Sequence, residues 1–496
     1  MRADQLIDAV QAYAEAVLER CRDRYGARPT PLLVDAIDAA SGEPERWDGH
    51  VLSNPARQQN FARLLVGLAA LTGQATFRDR AEEWMGHALT ALRDPASDLL
   101  YWGGHSSWDL AAAAPLQGNH ELKCSYPFYR FLHQVDGAAT RRFVDGFWHR
   151  HVHDWSTLLF NRHGEYEGWD RARRWAGEYR GGPLPIVENR LLSFINTGSD
   201  LVCAAAMASL LGGEEAPLAW ARRLLGRYEE IRHPDTGLGG YQFNHREPCR
   251  VRQSFRPPLG ERQDVNETTV LGTGLIQTRY GRAAVTWMNL YEELGPQRGE
   301  DFLRMIEVDL AALARHSYDE GRHVFQPLLV DGTRLSPEDA IDGVGYCQPP
   351  KLQPVAASGL MFLSYARAFR ITRNPRLREV ALSLAEGLGW GDLDRDGVPA
   401  PTEACGLVGL LDLASADGSV AMLEQTAAAA GQLVRGCGGD LLAAGEGAAA
   451  IDAPLPLALL QVAGALLNKA PAVPMLYANT SAFDPKVVIA RRRPAA

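Results

Sequence analysis

Residues 6–21 read LIDAVQAYAEAVLERC, and in that stretch Leu6, Ile7, Val10, Tyr13, Ala14, Val17, Leu18 and Cys21 recur every three to four positions. That spacing predicts one helix with a single buried face. The same period returns down the chain, at 61–71, 77–92, 128–135, 140–152, 191–211, 218–231, 283–294, 300–316, 356–369, 375–388, 405–413, 420–433 and 455–466. Alternating runs are rare, with His323 to Leu329 and Val487 to Ile489 the best strand candidates. About fourteen helices joined by long Gly/Pro-bearing loops predict an all-α fold, an α/α toroid of six or seven helical hairpins with cleft-forming loops and few short strands. The alternative is a generic helical array. Irregular stretches as long as 169–185 and 241–266 are unexpected in a plain solenoid. One catalytic domain over 1–496 is expected, with 1–400 as the core and 401–496 as helices that close the barrel.

Composition narrows the function. Hydrophobic residues make up 46% and charged residues 22%, which is ordinary globular usage. A formal charge of -9, with no basic run before Arg491-Arg492-Arg493, argues against nucleic acid as a partner. Asp4 and Asp8 interrupt the apolar core that a signal peptide needs, and no run reads as a membrane span, so a cytoplasmic location with no membrane partner is expected. Seven scattered cysteines without CxxC spacing fit reduced thiols.

Side-chain chemistry concentrates between Tyr101 and Glu167, which holds seven of the thirteen histidines: His105, His120, His133, His149, His151, His153 and His163. Imidazoles mixed with a carboxylate suit borderline transition metals, and His105, Glu121 and His163 could supply such a set. His149 and His153 form a rival, because residues four apart share a helix face. HELKC, from His120, lacks the second histidine of HExxH. Arginines gather in the two long loops, where planar guanidinium forks would match the carboxylates of a polyanionic ligand. Tyr126, Tyr129, Trp169, Trp175, Tyr179 and Tyr241 could stack on sugar rings. Asp392, Asp394, Asp396 and Glu403 match a calcium-loop pattern, although Pro399 and Pro401 stiffen its second half. Nucleophile elbows, Walker loops and dinucleotide fingerprints are absent. Carboxylate pairs for glycoside hydrolysis could come from Asp109, Glu165, Glu167, Asp170 and Glu188.

The segments WGGH, HELK, FNRHGEYE, RHPDTGLGGYQF and FQPLLVDGT together resemble the pectate and oligogalacturonate lyases of polysaccharide lyase family 2, from about Trp102 to Gly391. The resemblance implies an α/α barrel and a divalent transition metal, manganese ahead of cobalt or nickel, while calcium rests on the Asp392–Glu403 pattern alone. It implies His105, Glu121 and His163 as ligands and Arg162 as the catalytic base, with His120 as a substitute for His105. An arginine, with a pKa above about 12, is an unusual base, and the alternative is that Arg162 binds the carboxylate while Tyr166 or Lys123 takes the proton. An acidic oligosaccharide would be cleaved by β-elimination, meeting Lys123, Tyr129, Arg130, Arg171, Arg174, Arg190, Tyr241 and Arg252. The alternatives are an α/α-barrel hydrolase using a carboxylate pair and a non-catalytic carbohydrate-binding helical protein.

Overall fold

A computed structural model describes residues 1–38, 41–116, 118–167, 175–183, 191–244, 251–341, 347–395, 397–442 and 448–479. Its helices are α1 (Ala3–Arg20), α2 (Gln59–Thr72), α3 (Ala75–Ala91), α4 (Tyr129–His151), α5 (Ile195–Gly212), α6 (Glu215–Glu230), α7 (Ala284–Leu294), α8 (Pro296–His316), α9 (Gly359–Thr372), α10 (Pro375–Gly387), α11 (Ala404–Asp417), α12 (Val420–Gly436) and α13 (Pro454–Leu466). The apolar stripe that opens the chain is buried as its period requires: Leu6, Val10, Tyr13, Ala14 and Val17 all lie on the covered face of α1.

Two of the expected helices run together as α4, but Asp136 leaves the helical region (φ -151°, ψ 96°) and bends the chain into two arms. Its carboxylate then caps the second arm by accepting the Ala139 N–H at 2.8 Å. The helix expected from Ala283 starts earlier, as a short turn Thr273–Ile276 that passes through a π-helical turn Gln277–Ala283 into α7. The strand expected over His323 to Leu329 divides into Val324–Phe325 and Leu328–Leu329, in separate sheets. Pro327 between them has no N–H to continue a ladder. Val487 to Ile489 lies outside the described residues.

The helices make a closed ring. Its inner wall consists of α2, the first arm of α4, α5, α7, α9, α11 and α13, and outside them stand α3, the second arm of α4, α6, α8, α10 and α12. The outer partner of α13 is α1, from the other end of the chain, and α13 also packs on α2, which closes the ring. The fold is thus an α/α toroid with a few short strands. α5 is long and apolar enough to cross a membrane by composition, but it is mostly buried in the inner wall, where apolarity on every face is expected.

The joint between α2 and α4 is polar. Gln59 accepts the Phe128 N–H at 2.7 Å, and Arg63 donates to the Tyr126 carbonyl at 2.8 Å. Residues 473–479 cross the lumen, since Leu476 accepts a hydrogen bond from Asn289 on α7 and Tyr477 one from Asn60 on α2, across the ring. A second apolar cluster of Val251, Phe255, Leu259, Val265, Leu335 and Leu352 makes a small lobe out of the expected long loop.

Arg279 and Asp309 are both fully buried and joined at 2.9 Å between the inner turn and α8. Removing one partner leaves an uncompensated buried charge. Asp309→Ala is expected to destabilise the fold by about 3–5 kcal/mol, read as a lowered thermal midpoint, while Arg279→Met with Asp309→Leu recovers only part of the loss, because Arg232, which also bonds to Asp309 at 2.9 Å, loses that carboxylate.

Candidate metal centre

Three short extended segments lie side by side at the mouth of the ring. Gly103 and Glu121 pair in parallel, and His120 pairs antiparallel with Gly164 through bonds of 2.9 and 2.8 Å. The approach is close enough to demand glycine. A Cβ on Gly103, whose φ is +105°, would stand 2.4 Å from the Glu121 carbonyl oxygen, and one on Gly164 would stand 2.4 Å from His151 Nε2.

This pairing brings His105, Glu121 and His163 together, with one ligand atom of each inside 4.8 Å of the others. Glu121 divides its two oxygens. Oε2 lies 2.8 Å from His105 Nε2 and 3.8 Å from His163 Nε2, and the short His105 contact lacks hydrogen-bond geometry. Oε1 faces Arg162 at 3.3 Å, Asn196 at 3.4 Å and Thr197 at 3.5 Å, the last two from the first turn of α5. Complete burial works to raise the Glu121 pKa, yet His105, Arg162 and His163 hold it well below the ordinary carboxylate range. Ligands bound at about 2.1 Å to one ion stand roughly 3.0–3.4 Å apart, and the two Glu121 distances bracket that spacing. Two imidazoles and a carboxylate are also a donor set that a first-row transition ion accepts.

His120 is not a substitute for His105. In an extended segment neighbouring side chains point to opposite faces, so His120 turns away from the cluster to meet His151 Nε2 at 2.9 Å, and His151 Nδ1 meets the Asn161 carbonyl at 2.9 Å. A carbonyl only accepts, so His151 carries its proton on Nδ1, and His120 donates from Nδ1 to His151 Nε2. Burial keeps both rings neutral, taking His151 down to about 3 and His120 well below its usual value. This chain ends at Asn161, which precedes Arg162-His163 and whose side-chain oxygen accepts the His163 N–H at 3.3 Å. α4 ends at His151 and His153 lies in the short strand Val152–Asp154, so His149 and His153 do not share a helix face, and they form no second metal group among the described residues.

The loop after Glu121 takes left-handed backbone at Lys123 (φ 60°), Cys124 (φ 63°) and Tyr126 (φ 45°). Asp200 of α5 holds it there, accepting N–H bonds from Cys124 at 2.6 Å and Tyr126 at 2.9 Å. The Arg162 guanidinium lies 4.9 Å from the Phe194 ring centre, and the buried Tyr241 ring packs at a tilt against Phe194 with centroids 4.9 Å apart.

Other expected residues fall elsewhere. Tyr126 and Tyr129 are core, and Arg130 pairs with Glu293 of α7. Trp175 is buried against Trp148 and Trp155, while Tyr179 packs on Trp220. Arg252 binds Gln263 at 2.7 Å, Arg262 binds Asp331 at 2.6 Å, and Arg256 donates to the Glu338 carbonyl, so these arginines fasten the small lobe. The Tyr166 hydroxyl is buried, donating toward the Leu100 carbonyl and Ser106, and burial raises its pKa, so it is not placed to act as a base. Asp109 is committed to His50 at 2.5 Å, while Glu165 and Glu167 are exposed. The calcium pattern is not assembled: Arg378 takes Asp394 with two bonds of 2.7 Å, and Glu403 caps α9 at the Gly359 N–H. Trp169, Asp170, Arg171, Arg174, Glu188, Arg190 and Asp396 lie outside the described residues.

The contact with Glu121 sets apart two glycines of similar backbone. Gly103→Ala is expected to cost about 2 kcal/mol or more, from a left-handed backbone and a clash together. Gly49→Ala, at φ +85° in open space, costs about 1 kcal/mol. Thermal unfolding of the two variants checks the difference.

A pectate disaccharide-lyase from Dickeya dadantii is 36% identical over 261 residues, 49% of this chain and 47% of that protein. The chain thus spans about half the length of this curated relative. Similar solved structures include the cellobiose 2-epimerase of Bacillus thermoamylovorans (9% identical, 77% of this chain and 86% of that one, TM-score 0.46). Another is that of Spirochaeta thermophila (14% identical, 83% and 98%, TM-score 0.46). The family model described as periplasmic pectate lyase matches residues 30–486. That description overturns the cytoplasmic location expected from Asp4 and Asp8 and points to the periplasm. Since the match takes in every helix of the ring but α1, together with the His105–Glu121–His163 cluster and Arg162, the chain belongs to the periplasmic pectate lyase family.

Proposed function

We propose that the protein cleaves uronate-containing chains, pectate or oligogalacturonate, by metal-assisted β-elimination. The observation that carries this reading is the division of Glu121, with one oxygen turned to two histidines and the other to Arg162. His105, Glu121 and His163 would hold a divalent transition ion, manganese first and cobalt or nickel after it. Bound there, such an ion supplies positive charge toward the uronate carboxylate and so acidifies the C5 proton. Glu121 keeps one oxygen for that ion because Arg162, Asn196 and Thr197 restrain the other.

Acting as the base, Arg162 first gives up a proton to solvent and then takes the one on C5, and the electron pair of that C–H bond forms the C4–C5 double bond as the C4 oxygen leaves with its bonding pair. The ring of Phe194 fixes the plane of the guanidinium while Glu121 fixes one edge, which leaves the remaining nitrogens for substrate. Lys123, the other candidate base, follows Glu121 by two residues and is partly exposed. In this reading it binds a carboxylate of the substrate.

Absorbance of the unsaturated uronate product, followed on oligogalacturonates, tests the reading. A rise is expected that chelator abolishes and manganese restores, and that Arg162→Ala lowers by about 10²–10⁴-fold, the usual contribution of a positioned base. Reducing ends appearing without that absorbance would instead indicate hydrolysis. His151→Phe, which breaks the link to Asn161, is expected to weaken manganese binding about 10–100-fold in calorimetry, with the helical circular dichroism retained.

A further inference from the structure

The π-helical turn Gln277–Ala283 leads into the inner helix α7, and its side chains leave in different directions. Arg279 reaches outward to Asp309 and to the Gly240 carbonyl. Tyr280 bonds to Gly239, and Gly281 lies so close under Leu360 of α9 that a Cβ would stand 2.9 Å from it. Arg282 faces the lumen. Asn289, seven residues on, donates to the Leu476 carbonyl in the segment that crosses the barrel axis. Residues seven apart share a helix face, so Arg282 stands on that inward face about 10 Å nearer the mouth. It lies within electrostatic range of the buried thiol of Cys124, on the loop after Glu121, and of the partly exposed Cys405 in the first turn of α11.

Arg282 is only partly exposed, and no hydrogen bond or ion pair engages it among the described residues. Its neighbours differ. Arg279 has Asp309, and Arg63 has the Tyr126 carbonyl and the Tyr477 ring. A half-enclosed guanidinium without a carboxylate loses hydration and gains nothing in return, and its planar fork matches a carboxylate. Lys123, beside Cys124, is a second partly exposed cation that no described residue pairs.

We propose that Arg282 binds the carboxylate of the uronate unit next to the one cleaved, so that the lumen accepts a run of free uronates and selects against esterified chains. This rests on the lyase reading and adds a specificity residue to it. Calorimetry of saturated trigalacturonate and of its methyl ester tests it on the full chain, with chelator present to prevent turnover. For Arg282→Ala the dissociation constant for trigalacturonate is expected to rise about tenfold to a hundredfold, the value of a charge-assisted pair. Arg282→Lys should recover part of that loss, the methyl ester should bind equally to all variants, and thermal midpoints should stay unchanged. In turnover with manganese, Arg282→Ala should raise KM and leave kcat within about twofold, as expected for lost uniform binding.

Equal binding of trigalacturonate by wild type and Arg282→Ala overturns the inference and leaves the lyase reading standing. A wild type that binds trigalacturonate no better than its ester overturns both. Should the alanine variant fail to fold, Arg282→Gln, close in shape and uncharged, gives the same comparison.

Discussion

Glu121 is a carboxylate with no exposure to solvent, and an ionised group in that position persists only where the surrounding protein replaces its hydration. The replacement comes from three parts of the chain at once: His105 and His163 on one oxygen, Arg162 with Asn196 and Thr197 on the other. Each of those partners needs its own support. The glycines at 103 and 164 allow the flanking segments to come within main-chain bonding distance, and Asp200 restrains the left-handed loop that follows. The His120–His151–Asn161 chain ties the Arg162-His163 turn to α4. Compensation of one buried charge thus sets the geometry of everything around it.

The ring supplies the rigid frame for that arrangement. The first turn of α5 contributes Asn196, Thr197 and Asp200, so a single helix end controls both the carboxylate and its loop. Just before α2, Asn54 and Arg57 donate to the Gly103 carbonyl, which fixes the segment leading to His105. Chemistry carried on irregular segments is therefore anchored to packed helices, which hold a side chain more precisely than loops do.

Much of this was legible beforehand. Helical period located nearly every helix, because each inner or outer helix buries a face, and the long loops pointed to a toroid. The bend at Asp136 was legible too, as a break between two periodic stretches. The reading went astray where a local pattern has more than one use. Arginines crowded at 252–262 looked like anion binders, yet they tie down a lobe with its own apolar core. Asp394 and Glu403 fitted a calcium loop by spacing, yet each had a partner far away in sequence. Arg282 drew no notice, since nothing local marks an arginine as facing a lumen.

By itself the sequence determined the helices, through apolar period, and the stock of ligands, through a dense histidine segment. Resemblance singled out His105, Glu121, His163 and Arg162 among them. Tertiary structure alone decided which histidines converge. His120 and Glu121 are neighbours in the chain, but on an extended segment they point to opposite faces. One joins His151 in the wall, and the other meets His105 and His163 at the mouth. That outcome depends on main-chain pairing between residues 103, 121 and 164, contacts far apart in sequence that no local period encodes.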